Sequence, residues 1–171
     1  MEGYDGFLAA RGPALLRTAY LICGDRHQAE DLFQNAMARL LVHWPRVHQD
    51  NPEAYARRIL VNSTINWRQR LQARETVVPV VPDETSADFT DAHAARDEVW
   101  QALARLPLRQ RAVLVLRYYE DLTEAQTAEL LRCSVGTVKS QHAKALERLR
   151  SEPSRFGRPS NDNPSRATTI G

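Results

Sequence analysis

Residues 123–150 have the sequence TEAQTAELLRCSVGTVKSQHAKALERLR, which predicts two short helices joined by a tight turn. Thr123 precedes an apolar run and Gln126 follows three residues later, so the two can form a capping box at the start of the first helix. Ser134, which closes the turn, suits the N-cap of the second helix. Two helices around a short turn form the motif that places its second helix in the major groove of DNA.

The second helix of this hairpin is amphipathic. At about 100° per residue, one stripe contains Val135, Val138, His142, Ala145, Leu146 and Leu149. The residues expected to contact DNA are Ser134, Thr137, Lys139, Ser140, Gln141, Lys144 and Arg148. From Arg132 to Arg150, five Lys or Arg residues stand against one Glu, a balance that suits phosphate binding. The alternative is a hairpin whose basic face is merely solvated.

Composition excludes several classes of protein. The 171 residues carry a formal net charge of only +2 and suffice for one ordinary domain or two small ones. Cys23 and Cys133 lie far apart without a CxxC pair, which argues against a disulfide scaffold and a zinc finger. We find no signal-peptide pattern, and no apolar run approaches the roughly 18 residues that span a bilayer. We therefore expect a cytoplasmic protein with no metal, no cofactor and no membrane insertion.

Apolar periodicity upstream of the hairpin predicts further helices and almost no strand. A first helix is expected to break near Gly24. A second helix begins after Asp25, as an N-cap, and is expected to end before Pro45. A third helix begins after Asn51, which is followed by proline at the first helical position, and runs toward Arg74. The fold class is therefore all-α.

The helices are expected to form two small domains, residues 1–74 and 96–151, each with a core of its own. Between them, residues 75–95 contain VVPVVP followed by an acidic stretch, which predicts an extended acidic linker. Residues 152–171 are rich in Pro, Ser, Asn and Arg and are expected to form a disordered tail.

Three stretches together resemble the extracytoplasmic-function (ECF) sigma factors of bacterial RNA polymerase, which consist of σ2 and σ4 domains joined by a linker. Residues 24–34, GDRHQAEDLFQ, are similar to the helix that docks on the polymerase. Residues 55–68, YARRILVNSTINWR, are similar to the part that recognises the −10 element. Residues 106–122, LPLRQRAVLVLRYYEDL, lead into the hairpin at 123–150 and with it resemble σ4. The resemblance covers about residues 5–150.

The resemblance implies a function and its contacts. The chain would direct core polymerase to promoters with −10 and −35 elements and initiate transcription, as a monomer when free, with an anti-sigma factor as a further partner. Its polymerase partners would be the β′ clamp, contacted by Asp31 and Gln34, and the β flap. Asn35 lies beside them, where relatives commonly have Glu. The implied −10 contacts are Asn62 and Asn66 to bases, and Arg57, Arg58, Arg68 and Arg70 to the DNA backbone.

The helix at 52–74 can also be judged on its chemistry. Cations with amide and aromatic groups are what the recognition of a single strand needs. The alternative is a basic surface helix with Trp67 and Tyr55 in the core, because one indole at helical spacing is more often a packing residue.

Other functions fit the sequence less well. The five His residues are scattered and no phosphate-binding Gly-rich loop is present, so we expect a polymerase subunit and not an enzyme. The main alternative is a free-standing helix-turn-helix regulator that binds duplex DNA as a dimer. That alternative accounts for the hairpin but leaves the basic helix at 52–74 without a role. A pure interaction protein, such as an anti-sigma partner, would leave both basic faces unused.

Overall fold

The computed structural model of the chain describes residues 3–75 and 91–151, which contain helices and no β-strand. The helices are α1 (Tyr4–Cys23), α2 (Arg26–Val47), α3 (Pro52–Glu75), α4 (Asp91–Ala104), α5 (Leu108–Leu114), α6 (Glu124–Leu131) and α7 (Val135–Ser151), and a π-helical turn (Val115–Tyr119) continues α5. The all-α prediction is confirmed. None of these helices is long and apolar enough to cross a membrane. The predicted tail and most of the predicted linker lie outside the described residues.

The starts of α2 and α3 are capped as the sequence predicts. The Gln28 N–H donates to Asp25 Oδ1 at 3.0 Å, at the start of α2. The Ala54 N–H donates to Asn51 Oδ1 at 2.9 Å, at the start of α3. Each bond satisfies one of the backbone donors that a helix N-terminus leaves free, so these boundaries are set by local sequence.

The prediction that α2 ends before Pro45 is wrong, because the helix continues to Val47. A proline removes one helical hydrogen bond and restricts the residue before it. Here Pro45 lies in the last turn and is exposed, while Trp44 beside it is buried in the core. The turn closes with the His48 N–H donating to the Trp44 carbonyl at 3.0 Å. Packing of the Trp44 indole therefore stabilises the last turn of α2 beyond the proline.

We call α1, α2 and α3 the first module; they pack as a three-helix bundle. Its core contains fully buried leucines from all three helices, namely Leu15, Leu40 and Leu60. Tyr4 joins α1 to α2, because its hydroxyl donates to the Met37 carbonyl at 2.9 Å. Trp67 packs against the same cluster, so this indole has a packing role.

The second module, α4 to α7 with the π-helical turn, has a small buried cluster of its own at Val113, Ala128 and Val138, but it shares its larger cluster with the first module. This larger cluster also takes in Leu21 and Ile22 of α1 and Val61 of α3, which contact the apolar side of the second module. The larger buried cluster of the second module is therefore shared with the bundle. These three side chains lie on a side of the bundle that the bundle itself does not cover, and burying them requires the second module.

Gly24 is a point of close approach between the modules. It ends α1 in the left-handed conformation, with φ +77°, and its N–H donates to the Tyr20 carbonyl at 2.8 Å. A Cβ at this position would overlap the Trp100 ring from α4. Trp100 also packs against Tyr20, with ring centroids 5.8 Å apart. Glycine is required here both by the backbone conformation and by the indole of the other module.

The two thiols are expected to differ in reactivity. Cys23 is buried, and this burial raises its pKa from 9.0 to about 11. At about pH 8 such a shift lowers the thiolate fraction roughly a hundredfold. Cys133 is half-buried, so it should react with Ellman's reagent within minutes in the native chain, and Cys23 only after denaturant is added. Equal rates for the two thiols in the native chain would contradict this assignment.

Candidate nucleic-acid interface

The hairpin of α6 and α7 forms as the sequence predicts. The Gln126 N–H donates to Thr123 Oγ1 at 3.1 Å, and the Thr123 N–H donates to Gln126 Oε1 at 2.9 Å, which completes the capping box. Arg132 ends α6 in the left-handed conformation, with φ +54°. Ser134 Oγ accepts the Thr137 N–H at 3.0 Å and caps α7. Both predicted caps are confirmed, and they set the direction in which α7 leaves the turn.

The polar side of α7 is open to solvent along most of its length. Of the predicted −35 residues, Ser134, Lys139, Ser140, Lys144 and Arg148 are exposed, and Thr137 and Gln141 are half-buried. Lys139 Nζ lies 3.8 Å from Glu124 Oε2 at the surface, where an ion pair adds little stability. Exposed hydroxyl, amide and cationic donors along one helix face can bond phosphates and base edges.

The opposite side of α7 is mostly buried. Val138 and Ala145 are fully buried, which confirms that this stripe packs inward. Val135 is 39% exposed, so its predicted inward position is wrong; it lies in the first turn of α7, at the edge of the hairpin. His142 is half-buried and stacks on Tyr118, with Tyr118 Oη 2.7 Å from His142 Nε2. The sequence gives no sign of this tyrosine–histidine contact.

The predicted polymerase contacts lie together on the solvent side of α2. Asp31, Gln34 and Asn35 are all exposed, and their spacing puts them on one helix face. Ala36 and Leu40 on the opposite side are buried in the bundle. The structure therefore places these three polar side chains in one open surface patch.

Two of the predicted −10 residues form ion pairs with carboxylates of the second module. Arg57 Nε donates to Glu120 Oε2 at 2.6 Å, and Arg57 Nη2 donates to Glu53 Oε1 at 2.8 Å. The Arg57–Glu120 pair is largely buried, with the side chains 14% and 5% exposed. Arg58 Nη2 donates to Glu129 Oε1 at 3.2 Å in an exposed pair. Neither guanidinium is free in this arrangement.

Asn62 and Asn66 line a crevice between the modules. With Gln69 they face Arg109 and Arg132 across a cavity of about 240 Å³. A cavity of this size is smaller than the usual pocket for a drug-sized ligand. We therefore regard it as a gap in the interface, in which Asn62 is half-buried and Asn66 stays exposed at the edge.

The remaining two −10 residues differ in exposure. Arg70 is exposed. Arg68 is half-buried, and its buried Nε has no hydrogen-bond partner among residues 3–75 and 91–151. The six predicted −10 residues all lie on α3, but the structure leaves them in unequal states: two are ion-paired, two line the crevice, one is partly buried and one is open.

Arg111 joins the ends of two helices. It is 3% exposed, and its guanidinium lies over the Trp100 ring at 5.0 Å. The guanidinium donates to the carbonyls of Ile22 at 2.8 Å, Leu103 at 3.0 Å and Leu106 at 3.1 Å. These carbonyls lie at or just beyond the C-terminal ends of α1 and α4, where helices leave acceptors unsatisfied. Burial lowers the pKa of Arg111 to about 10, and the positive charge of Arg68 adds to this effect.

Three charged residues of the interface, Glu120, Glu129 and Arg111, were not among the predicted site residues. Arg111 could have been found, because it is three residues after Leu108 and lies on the buried side of α5. A cation at such a position must find buried acceptors. Nothing in the local sequence pairs Glu120 or Glu129 with α3, since those pairs join residues far apart in the chain.

Family models match both modules. Residues 7–74 match the model described as Sigma-70 region 2, and residues 96–149 match the model described as Sigma-70, region 4. The chain is 35% identical over 150 residues to the RNA polymerase sigma-E factor of Streptomyces coelicolor, covering 87% of this chain and 85% of that protein. It is 32% identical over 143 residues to the ECF RNA polymerase sigma factor SigL of Mycobacterium tuberculosis, covering 80% of each.

Solved structures share the fold. The chain superposes on the sigma factor RpoE of Bartonella quintana, solved in complex with the anti-sigma factor NepR, with a TM-score of 0.64 and 22% identity over 88% of this chain and 96% of that one. It also superposes on CnrH, solved in complex with the cytosolic domain of CnrY, with a TM-score of 0.59 and 18% identity over 86% of this chain and 84% of that one.

Proposed function

Since the chain belongs to the ECF group of the sigma-70 family of RNA polymerase sigma factors, we propose that it acts through three separate surfaces. One surface docks on core polymerase, one binds the −10 element and one binds the −35 element. In this proposal the chain is a non-enzymatic subunit that works in the cytoplasm, where polymerase and promoter DNA are found. The Arg57–Glu120 ion pair described above determines when Arg57 is available to DNA.

The docking surface is the patch of Asp31, Gln34 and Asn35 on α2. A carboxylate and two amides on an exposed helix face can pair with cations and with polar groups of a partner helix. Their exposure supports this assignment, because no part of the described chain has to move to uncover them. We assign the β′ clamp to this patch and the β flap to the second module.

The −10 surface is the basic side of α3. Arg57, Arg58, Arg68 and Arg70 would neutralise phosphates, and Asn62 and Asn66 would bond base edges of the opened strand. The −35 surface is the polar side of α7, whose caps orient it and whose cations are exposed. There Lys144 and Arg148 would contact the duplex, together with Gln141, the hydroxyls and Lys139.

The observation that carries the proposal is that both matched regions lie in order in one chain. A free-standing regulator of duplex DNA needs the hairpin alone, and it leaves the region-2 match over residues 7–74 without a purpose. The sigma-factor function therefore holds over the regulator. We also propose an anti-sigma partner, which the complexes of the two solved neighbours support.

The experiment that tests the proposal is co-purification of the full chain with core polymerase, followed by transcription in vitro from the DNA upstream of its own coding sequence. We expect a stable complex and a transcript that depends on the chain. A folded chain that fails to bind core polymerase would overturn the proposal.

Lys144→Ala is expected to weaken binding of the holoenzyme to −35 duplex DNA and to lower the slope of log K against log salt by about one. The physical reason is that one exposed cation no longer displaces counterions from the phosphates. Arg46→Ala is the matched control, because Arg46 is an exposed cation at the end of α2, outside the three surfaces. Loss of core binding by Lys144→Ala would show that the lysine serves the fold or the docking and not the DNA.

A further inference from the structure

The docked arrangement of the two modules covers part of the proposed −10 surface, at Arg57 and Asn62, and places acidic side chains against Arg57 and Arg58. Glu120 directs one carboxylate oxygen to Arg57 Nε at 2.6 Å, and its other oxygen accepts the hydroxyl of Thr18. Its side chain is only 5% exposed although it is an acid at the end of a π-helical turn. Glu129 engages Arg58 from α6. Arg57 and Arg58, two of the four arginines assigned to DNA phosphates, are thus paired with carboxylates of the same chain, Arg57 in a buried pair and Arg58 in an exposed one.

A carboxylate and a phosphate compete for the same guanidinium. Each offers anionic oxygens to the planar donor fork of arginine, and Arg57 is already bonded to both Glu53 and Glu120. Asn62 is half-buried and lines the crevice of about 240 Å³ under the second module, whereas Asn66 lines the same crevice but is exposed. A DNA strand cannot contact Arg57 and Asn62 until the second module moves away, whereas Asn66 and Arg70 stay open to solvent.

The same interface also contains electrostatic interactions that oppose docking of the modules. Arg68 and Arg111 are close enough for their like charges to interact, and the buried Nε of Arg68 lacks a hydrogen-bond partner among residues 3–75 and 91–151. An unpaired buried donor and two neighbouring cations both cost free energy in a low-dielectric setting. These interactions oppose docking, and the Glu120 contacts act with the shared buried cluster and the Arg111–Ile22 hydrogen bond to offset them.

We propose that Glu120 is an intramolecular latch that holds the second module over the −10 surface of the free chain, through Arg57 and Thr18. The latched chain is a resting state that binds single-stranded DNA poorly, and it must open before α3 can contact the promoter. The DNA part of this proposal rests on the proposed function. The latch itself, as a contact between modules, does not.

The test uses the full-length chain with Glu120→Gln, which keeps the shape of the side chain and removes its charge. Asp121→Asn is the matched control: it removes the same charge at the next, exposed residue, whose φ of +53° asparagine tolerates. Small-angle X-ray scattering without DNA reports the separation of the modules. We expect the radius of gyration to rise for Glu120→Gln and to stay unchanged for Asp121→Asn.

The second measurement is binding of a short, fluorescein-labelled single-stranded DNA of mixed sequence to the free chain. If latched chains outnumber open ones by about ten to one, Glu120→Gln should bind this DNA roughly tenfold more tightly. Asp121→Asn should change the affinity for this DNA less than about twofold, because the charge that it removes is exposed to solvent and lies outside the ion pair with Arg57.

Each outcome decides the proposal. An unchanged radius of gyration for a folded Glu120→Gln chain overturns the latch, whatever the DNA result. A larger radius without tighter DNA binding overturns the claim that docking covers the DNA surface. Transcription by the parent holoenzyme tests the proposed function separately, because it does not depend on the latch of the free chain.

Two further variants keep the test decisive if Glu120→Gln does not fold, as judged by circular dichroism. Glu129→Gln removes only the exposed pair with Arg58, and it should open the modules in the same direction by a smaller amount. Arg57→Gln removes the cation that Glu120 pairs with and should open the modules as Glu120→Gln does. If a folded Arg57→Gln chain stays closed, the pair is not the latch.

Discussion

An Arg111→Met chain is expected to melt about 6–12 °C below the parent chain, a loss of roughly 3 kcal/mol. Methionine keeps most of the apolar stem but removes one donor from each of three carbonyls, of which only that of Leu103 has a second donor, the Leu106 N–H at 3.0 Å, among the contacts described. Two of these carbonyls belong to the end of α4 and its connection to α5, and one belongs to the end of α1. Loss of a buried, desolvated charge, and of its repulsion with Arg68, offsets part of that cost.

Thermal melting followed by circular dichroism measures this effect, and Arg109→Met is its control. Arg109 lies two residues earlier on α5 and is exposed, so its replacement should change stability by less than about 0.5 kcal/mol. Arg111→Lys keeps the charge but loses the planar fork and should recover less than half of the loss. Full recovery with lysine would show that the charge, and not the three hydrogen bonds, stabilises this site.

Gly24→Ala is expected to destabilise the chain by about 2 kcal/mol or more. Alanine at φ +77° costs about 1 kcal/mol, because the left-handed conformation brings its Cβ close to the backbone. The same Cβ overlaps the Trp100 ring, so the indole must leave its place between Tyr20 and Arg111, at a further cost of about 1–3 kcal/mol. The second module then loses part of its contact with α1.

The same substitution at Gly6 should stabilise the chain instead of destabilising it. Gly6 lies inside α1, and a Cβ there meets no atom within 4 Å, so Gly6→Ala should stabilise the helix by about 0.5–1 kcal/mol. Urea unfolding of both variants, and of Gly24→Ala combined with Trp100→Ala, measures the clash as a coupling energy. Additive effects in the double variant would mean that the Trp100 ring does not oppose a side chain at position 24.

Local sequence was sufficient wherever an interaction joins residues a few positions apart. The caps at Asp25, Asn51, Thr123 and Ser134 are all present, because each joins a side chain to a backbone N–H three residues later. The inward stripe of α7 is correct at Val138 and Ala145 and fails at Val135, in the first turn. The helix end at Pro45 was misplaced, because the packing of Trp44, a tertiary contact, decides where α2 stops.

The sequence predicted which residues form the candidate site, but not which of them are paired with carboxylates of the same chain. The sequence indicated which side chains can contact polymerase and DNA, and the family comparison places region 2 and region 4 on the same parts of the chain. It did not indicate that Arg57 and Arg58 are paired within the chain, since 63 and 71 residues separate them from Glu120 and Glu129. Pairs at that separation depend on how the modules dock.

The sequence by itself determined the helices, the capped hairpin at 123–150 and the membership of the sigma-70 family. The helices and the hairpin follow from hydrophobic periodicity and from hydrogen bonds within single turns, which act over a few residues, whereas the family membership rests on the similarity of whole stretches of sequence to known sigma factors. Only the tertiary structure decided that the two modules share a buried cluster and that Glu120 pairs with Arg57. It also decided that residue 24 must lack a side chain, because the Trp100 ring occupies the space of a Cβ. Such contacts need surfaces from distant parts of the chain to meet at atomic distance, and no local pattern specifies that.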